Sequence, residues 1–209
     1  MSSYFFRFFI CSSLFLLVLT NAHAGSALQQ KRSWNSQWDQ FILEARLAET
    51  LSPTPADVQE VCPNYKILST TEKDQFWLAF FQGLSYVESS WNTRARYVET
   101  TMGKDMVTGK QIVSEGLLQL SYQDLKIYGC NFDWAHDQPL DAADPYHSEK
   151  TIFDPARNLR CGMIIFKRIV ARRGVIFTRS YWAPLLESRS NRAYRAFMDY
   201  IQSHTEMCR

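Results

Sequence analysis

The sequence predicts a mainly α-helical fold, and two segments carry most of that prediction. In LSTTEKDQFWLAFFQGLSYVESS, Ser69 followed by Glu72 makes a capping box, and apolar residues then surround the helix on nearly all sides. In DPARNLRCGMIIFKRIVARRG, Asp154 is an N-cap, Pro155 takes the first helical position and Gly174 follows a basic last turn. A helix that is apolar all round must be buried, so we expect the first segment at the centre of the domain.

Weaker signals predict the elements of the remaining chain. Apolar residues at helical spacing predict a first helix over 32–51, and a connector with two prolines follows it. Residues 92–115 are polar and contain two glycines, which predicts a loop or a short hairpin. Residues 116–129 predict a turn that leads into a short helix. We expect an irregular segment over 130–153 and further helices near the C-terminus, which makes at least five helices in all.

The first 24 residues have the pattern of a secretory signal peptide. Arg7 precedes the apolar run FFICSSLFLLVL, and the small-residue cleavage pattern AHA follows it. The run is short for a membrane helix, which needs about 20 apolar residues, so a short membrane anchor is the weaker alternative. We therefore expect residues 1–24 to be a signal peptide and residues 25–209 to form a single domain. The resulting protein would be periplasmic or secreted, with no membrane span.

Composition narrows the possible partners. The formal net charge is +2 and no basic block occurs, which disfavours nucleic acid. We expect a monomer without a cofactor.

Four cysteines lie beyond the signal peptide, and an even number in an exported chain predicts two disulfides. Three connectivities are possible. We favour Cys130–Cys161, which closes a loop of about 30 residues, together with Cys62–Cys208, which would join the start of the domain to its end. A metal site is the alternative, but the sequence has no Cys-x-x-Cys pair and no histidine cluster.

The stretch LSYVESSWN places an ionisable residue, Glu88, at the end of the apolar helix. It lies one and two turns after Leu84 and Phe81, on the packed side, and Trp91 follows on the next turn. A carboxylic acid in an apolar pocket against an aromatic ring has a raised pKa and can act as a general acid near neutral pH. The structural alternative is a helix-end carboxylate that pairs with a nearby arginine.

Three motifs, in order along the chain, resemble those of the lytic transglycosylases with the goose-type lysozyme fold. ESSWNTRA (88–95) resembles their Glu-Ser-x-x-Asn-x-x-Ala stretch, and EGLLQLS (115–121) resembles their Gly-Leu-Met-Gln turn with leucine in place of methionine. FDPARNLRCGMIIFKRI (153–169) resembles their Asp-Pro-x-x-Asn helix. The resemblance covers about half of the chain after the signal peptide.

This resemblance implies a lysozyme-like (SLT-type) helical domain with a deep cleft. A small β or loop element would lie between the catalytic helix and the GLLQ turn. The implied activity is a glycosidase that cleaves the β-1,4 bond between N-acetylmuramic acid and N-acetylglucosamine in peptidoglycan. Glu88 would be the single acid/base, Ser89 and Gln119 would bind substrate in the cleft, and Asn158 would anchor the turn and its helix.

The chain departs from the family at two places. The family's Ala-Tyr-Asn-Ala-Gly stretch is absent, and RSYWAPL stands near that point, so Tyr181 is the candidate for a cleft tyrosine that hydrogen-bonds the acid. Glu115 precedes the turn where the family has a small or neutral residue. It could pair with Arg94, bind substrate or act as a second carboxylate.

A second carboxylate would separate two mechanisms. A lytic transglycosylase uses one carboxylate and leaves a 1,6-anhydro end, whereas an inverting hydrolase needs a second one to activate water. The candidates are Glu99, Asp105, Glu115 and Asp124, of which Glu115 is the most plausible base. We expect a transglycosylase, with a lysozyme-type hydrolase and a non-catalytic wall-binding protein as alternatives.

Overall fold

The computed structural model describes residues 32–178, 180–186 and 191–209, so the predicted signal peptide lies outside the described residues. Within them are seven α-helices and two β-strands: α1 (Asp39–Leu43), α2 (Leu47–Thr50), α3 (Thr70–Ser89), β1 (Arg96–Val98), β2 (Val113–Glu115), α4 (Asp124–Tyr128), α5 (Trp134–Ala143), α6 (Pro155–Arg173) and α7 (Arg192–His204). The prediction of a mainly α fold is confirmed. None of these helices is both long and apolar enough to cross a membrane.

Helix α3 is the centre of the core, as its all-round apolar pattern predicts. It begins with the expected capping box, because the Glu72 carboxylate accepts from the backbone N–H of Ser69 at 2.8 Å while the Ser69 hydroxyl accepts from the N–H of Glu72. Its four aromatic side chains between Phe76 and Phe81 are fully buried, and Phe80 and Phe81 meet rings of α7 and α6 edge to face. Gly83 lets α7 approach, since a Cβ there would lie 2.6 Å from the ring of Tyr200.

Helix α6 also matches its prediction. The Asp154 side chain accepts from the N–H of Arg157 at 2.8 Å, and Gly174 ends the helix with φ of 71°. The two predicted disulfides are confirmed: Cys130–Cys161 joins the segment just after α4 to α6, and Cys62–Cys208 joins the segment before α3 to the end of the described chain.

Two predicted elements are wrong. The single helix expected over 32–51 is broken by Arg46, which has a left-handed φ of 48°, so that Ile42 and Leu47 can both be buried. The segment 130–153, expected to be irregular, contains α5, which continues through Pro139. Asp133 caps this helix, and Asp137 is fully buried and accepts hydrogen bonds from Tyr122 and from Thr151.

Strands β1 and β2 form an antiparallel hairpin between α3 and the turn at 116–119. The register pairs Arg96 with Glu115, Tyr97 with Ser114 and Val98 with Val113. A small β element is thus present where the sequence predicted a loop or hairpin. The hairpin carries side chains of opposite character on its two faces, which makes it the central element of the candidate site.

Candidate active site

Glu88 lies in the last turn of α3 with its carboxyl group only partly exposed. Leu84 and Phe81, one and two turns earlier, are fully buried. Burial raises the pKa of Glu88 to about 8, and the negative charge of Glu99 adds to the rise. No hydrogen bond or ion pair joins the Glu88 carboxyl to another described residue. The group can therefore hold a proton at neutral pH and is not committed to a structural partner.

Trp91 does not contribute to this setting in the expected way. Its indole N–H donates to the Gln82 carbonyl at 2.9 Å, and its ring packs on Tyr86 and Tyr200 at centroid distances of 5.0 and 6.2 Å. Two residues correspond to about 200° around a helix, so Tyr86 and Glu88 lie on nearly opposite faces. The expectation that the Trp91 ring backs the carboxyl of Glu88 is corrected accordingly.

Glu99 is the carboxylate that acts on Glu88, and the hairpin holds it firmly. It directly follows β1, and its N–H donates to the Ile112 carbonyl at 2.9 Å, which extends the strand pairing by one residue. Its own carbonyl accepts from the Gln111 amide. Its carboxylate accepts a 2.6 Å hydrogen bond from the hydroxyl of Ser114 on β2. Both the backbone and the carboxylate are thus positioned before any ligand binds.

Glu115 lies on the opposite face of the same hairpin. Side chains alternate along a strand, so the cross-strand pair of Arg96 and Glu115 faces away from Tyr97, Ser114 and Glu99. Glu115 is 2% exposed, and its carboxylate accepts a 2.6 Å hydrogen bond from Lys150, with the Arg96 guanidinium at 3.4 Å. Its carboxylate is therefore bound to buried structural cations and not to Arg94. The expectation that it is the most plausible base or a substrate ligand is corrected.

The buried charge network behind the hairpin is extensive but leaves little space. Lys150 also donates to Asp141 at 2.8 Å and to the Pro145 carbonyl at 3.1 Å. Asp141 receives a further 3.0 Å hydrogen bond from Lys110. Burial acts to raise the pKa of Asp141, but the bonds from the two lysines lower it overall. The cavity on this face has a volume of about 20 Å³, room for a single water and far too little for a sugar.

The turn after β2 joins all three sequence motifs. The N–H of Gly116 donates to the carbonyl of Ala95, the last residue of the first motif, at 2.9 Å. Asn158 of α6 accepts from the N–H of Leu118 at 2.9 Å and donates to the Glu115 carbonyl at 3.1 Å. Gly116 has φ of 80°, and a Cβ there would lie 2.3 Å from the Asn158 amide. Asn158 therefore anchors the turn to its helix.

Gln119 and Ser89, which the sequence predicted as substrate-binding residues, are both partly exposed. Gln119 is partly exposed, has a left-handed φ of 48° and donates from its side chain to the Gly116 carbonyl at 2.9 Å. Ser89 is partly exposed and donates to the Ser85 carbonyl at 2.9 Å, which leaves its oxygen lone pairs free for a ligand.

Tyr181 does not hydrogen-bond the acid. Its hydroxyl donates to the buried carboxylate of Asp124 at 2.8 Å. Asp124 also accepts from the N–H of Ser121 at 2.9 Å, so it fixes the start of α4. Burial raises the pKa of Asp124 to about 6. The pair belongs to the support of the turn, and the expected contact between Tyr181 and Glu88 is corrected.

Sequence reasoning ranked Glu99 below Glu115 and missed Lys150. The signal was available in the alternation of β1, which puts Glu99 two residues after Tyr97 and away from Arg96. Asp105, another candidate, is buried and accepts from the N–H of Val107 at 2.7 Å and from that of Gln123 at 2.8 Å. Within the described ranges, no group of three or more His, Cys, Asp or Glu side chains could hold a metal ion.

Comparisons with known proteins find similarity to solved structures. The chain is similar to three structures of Bd0314 DslA, one of the wild type and two of variants that each replace a glutamate with glutamine. Each match has 26% identity and a TM-score of 0.65, and it covers 83% of this chain and 91% of the other. No family model and no curated protein matches the chain.

Proposed function

We propose that this chain is a glycosidase that cleaves the bond between N-acetylmuramic acid and N-acetylglucosamine in peptidoglycan. The observation that carries the proposal is the setting of Glu88, a partly exposed carboxyl with a pKa raised to about 8 by burial and without a described structural partner. Such a group is protonated at neutral pH and can act as a general acid. The resemblance of the three motifs points to peptidoglycan as the polymer, and their meeting at the turn 116–119 supports the resemblance.

The second carboxylate favours hydrolysis over the transglycosylase product. Glu99 is coupled to Glu88 through its charge and is held by Ser114, whereas a transglycosylase needs only one carboxylate. In the two DslA variants, the substituted glutamates are separated by the same number of residues as Glu88 and Glu99 are here. This pairing reverses the preference that the motifs alone gave.

The chemistry assigns one proton transfer to each glutamate. Glu88 donates its proton to the glycosidic oxygen as the bond to C1 breaks. Glu99 accepts a proton from the water that attacks C1, so one water is consumed and a reducing end forms. In the transglycosylase alternative, the C6 hydroxyl of the muramic acid attacks C1, Glu88 accepts its proton, and an anhydro end forms without water.

Mass spectrometry of the products separates these outcomes. Purified peptidoglycan is incubated with the protein, and the soluble fragments are measured before and after borohydride reduction. We expect reducing ends, which gain two hydrogens on reduction. Anhydro ends, which do not react, would replace the hydrolase mechanism by the transglycosylase mechanism and leave Glu88 as the acid. Binding without cleavage would overturn the enzyme proposal and indicate a wall-binding protein.

The disulfides of the protein are consistent with a compartment in which this substrate occurs. Two disulfides are typical of proteins of oxidising, extracytoplasmic compartments, where peptidoglycan is found. Export to the periplasm or to the medium, and a monomeric state, remain predictions.

A further inference from the structure

We propose that Tyr97 is a sugar-stacking residue that sets the affinity of the site for the glycan strand. The inference deepens the proposed function and rests on it for the identity of the ligand. It begins from the position of one ring on the hairpin. Tyr97 is the most exposed aromatic side chain among the described residues, at 60%.

The register of the hairpin determines which way the Tyr97 side chain faces. Tyr97 and Glu99 are two residues apart along one extended chain, so their side chains share a face. Ser114, the cross-strand partner of Tyr97, donates its hydroxyl to the Glu99 carboxylate at 2.6 Å. The three side chains therefore form one surface, which is the surface that carries the second carboxylate.

The other face of the hairpin is excluded as a ligand site, because its side chains enclose only a small cavity. Arg96, Val113 and Glu115 line the small cavity behind the hairpin, together with the residues around the Lys150 network. Val98 pairs with Val113 on this face. Val98, the next residue along the chain, is therefore a natural control for Tyr97, because its side chain lies on the opposite face of the hairpin.

The chemistry of the exposed face fits a carbohydrate. Two residues along a strand correspond to about 6.7 Å, so the Tyr97 ring is offset from the Glu99 carboxylate toward a neighbouring sugar. Sugar rings present C–H groups on one side, which pack against an aromatic ring, while carboxylates and hydroxyls bind their polar edges. A tyrosine ring has only two rotatable side-chain angles, so ordering it on binding costs little entropy.

The structure offers matched variants for the test. Tyr97→Ala removes the ring, and Tyr97→Phe keeps the ring but removes the hydroxyl. Val98→Ala trims the opposite face of the same strand, and Tyr146→Ala removes a tyrosine that is 51% exposed at a distant position in the sequence. All three side chains are exposed, so thermal unfolding of each of the four variants is expected within a few degrees of the wild type.

Two measurements distinguish this proposal from the proposed function. The first is kcat and KM on purified peptidoglycan, and the second is equilibrium sedimentation with insoluble peptidoglycan in the Glu88→Gln background, where cleavage is expected to be at least about a hundredfold slower. For Tyr97→Ala we expect KM and the dissociation constant to rise about tenfold, with kcat within about threefold. For Tyr97→Phe, Val98→Ala and Tyr146→Ala we expect both constants within about twofold of the wild type.

Each outcome has a definite meaning. Unchanged binding by Tyr97→Ala overturns the inference even if the wild type cleaves the wall. Equal losses in Tyr97→Ala and Tyr97→Phe would assign the effect to the hydroxyl and overturn stacking. A wild type that does not cleave, with binding that still depends on the Tyr97 ring, would overturn the proposed function and support the inference. A protein that neither binds nor cleaves peptidoglycan overturns both.

Discussion

The two faces of one short hairpin each carry a glutamate, and they give it different hydrogen-bond partners. Glu99 and Glu115 lie at the end of β1 and at the end of β2, and both are fixed by hydrogen bonds. Glu115 is bonded to a buried lysine and is 2% exposed. Glu99 is bonded to a serine hydroxyl, keeps some exposure and acts through its charge on Glu88.

The role of each carboxylate therefore depends on the hydrogen-bond partner that its face of the hairpin provides. A buried cation such as Lys150 makes the carboxylate structural, because removing either charge leaves the other buried with less compensation. A neutral donor such as Ser114 orients the carboxylate without neutralising it, so it remains available to a ligand. Glu88 extends the series, since it has no described partner and its pKa is raised instead.

The largest expected effect is that of Glu88→Gln on catalysis. Glutamine has nearly the same shape but cannot donate the proton, so we expect kcat on peptidoglycan to fall by about 10²- to 10⁴-fold or more. Release of soluble fragments measures the rate, and circular dichroism checks the fold. The exposed Glu149→Gln variant, which makes the same substitution away from the site, is the control and should keep wild-type activity. A Glu88→Gln protein that cleaves at the wild-type rate would contradict the assignment.

Glu99→Gln has the next largest expected effect and tests the comparison most directly. If Glu99 activates water, its loss lowers kcat by about 10²-fold or more, because an amide cannot accept the proton. Removing its charge also lowers the pKa of Glu88, since a like charge no longer opposes ionisation. Carbon-13 NMR titration of the Glu88 carboxyl measures that shift. Activity within tenfold of the wild type would exclude Glu99 as the base and support the transglycosylase mechanism.

Glu115→Gln should show the reverse pattern, with lost stability and retained chemistry. The substitution leaves Lys150 buried without its main counter-charge, which costs about 3–5 kcal/mol of unfolding free energy. Urea unfolding measures the loss, and kcat of the folded fraction should stay within severalfold of the wild type. A double variant that adds Lys150→Met should recover part of the stability. A stable Glu115→Gln protein with abolished kcat would put Glu115 back in the site.

The sequence could predict the parts of the fold that depend on local chemistry. The capping box at Ser69 and the Asp154–Pro155 start of α6 each depend on residues that are close in sequence. The starts of these two helices can therefore be predicted from the sequence alone. The break at Arg46 was not, because it arises from burying Ile42 and Leu47 together. Such a requirement depends on the neighbouring helices and not on the local pattern.

In the candidate site, too, some features depend on the local sequence and others depend on residues that are distant in the chain. The largely buried setting of Glu88 could be predicted, since an acid at the end of an all-apolar helix is anomalous on its own. The roles of Glu99 and Glu115 depended on the register of the hairpin and on Lys150, a residue distant in sequence that no local pattern connects to β2. Trp91 and Tyr181 were misassigned because their positions along the chain do not reveal the partners they have in the structure, Gln82 and Asp124.

The last expected effect concerns the dependence of stability on pH. The pKa of Glu88 is about 8 in the folded protein and close to its ordinary value of 4.5 in the unfolded chain. Between these values only the folded state holds the proton, so its stabilising contribution is full below about pH 4.5 and is lost as the pH rises to 8. Each unit of the shift corresponds to about 1.4 kcal/mol, so the loss reaches on the order of a few kcal/mol.

Glu88→Gln removes this dependence, because glutamine stays neutral at every pH. Urea unfolding of the wild type and the variant should therefore coincide near pH 4.5 and diverge toward pH 8.5, with the variant the more stable. Glu115 titrates in both proteins, so its contribution cancels in the difference, and Glu149→Gln should follow the wild type. Parallel curves would mean that the folded protein does not hold the Glu88 proton. Diverging curves would show that the ionised Glu88 carboxylate lowers the stability of the folded protein. The stability loss of Glu115→Gln would show that the Glu115 carboxylate raises it.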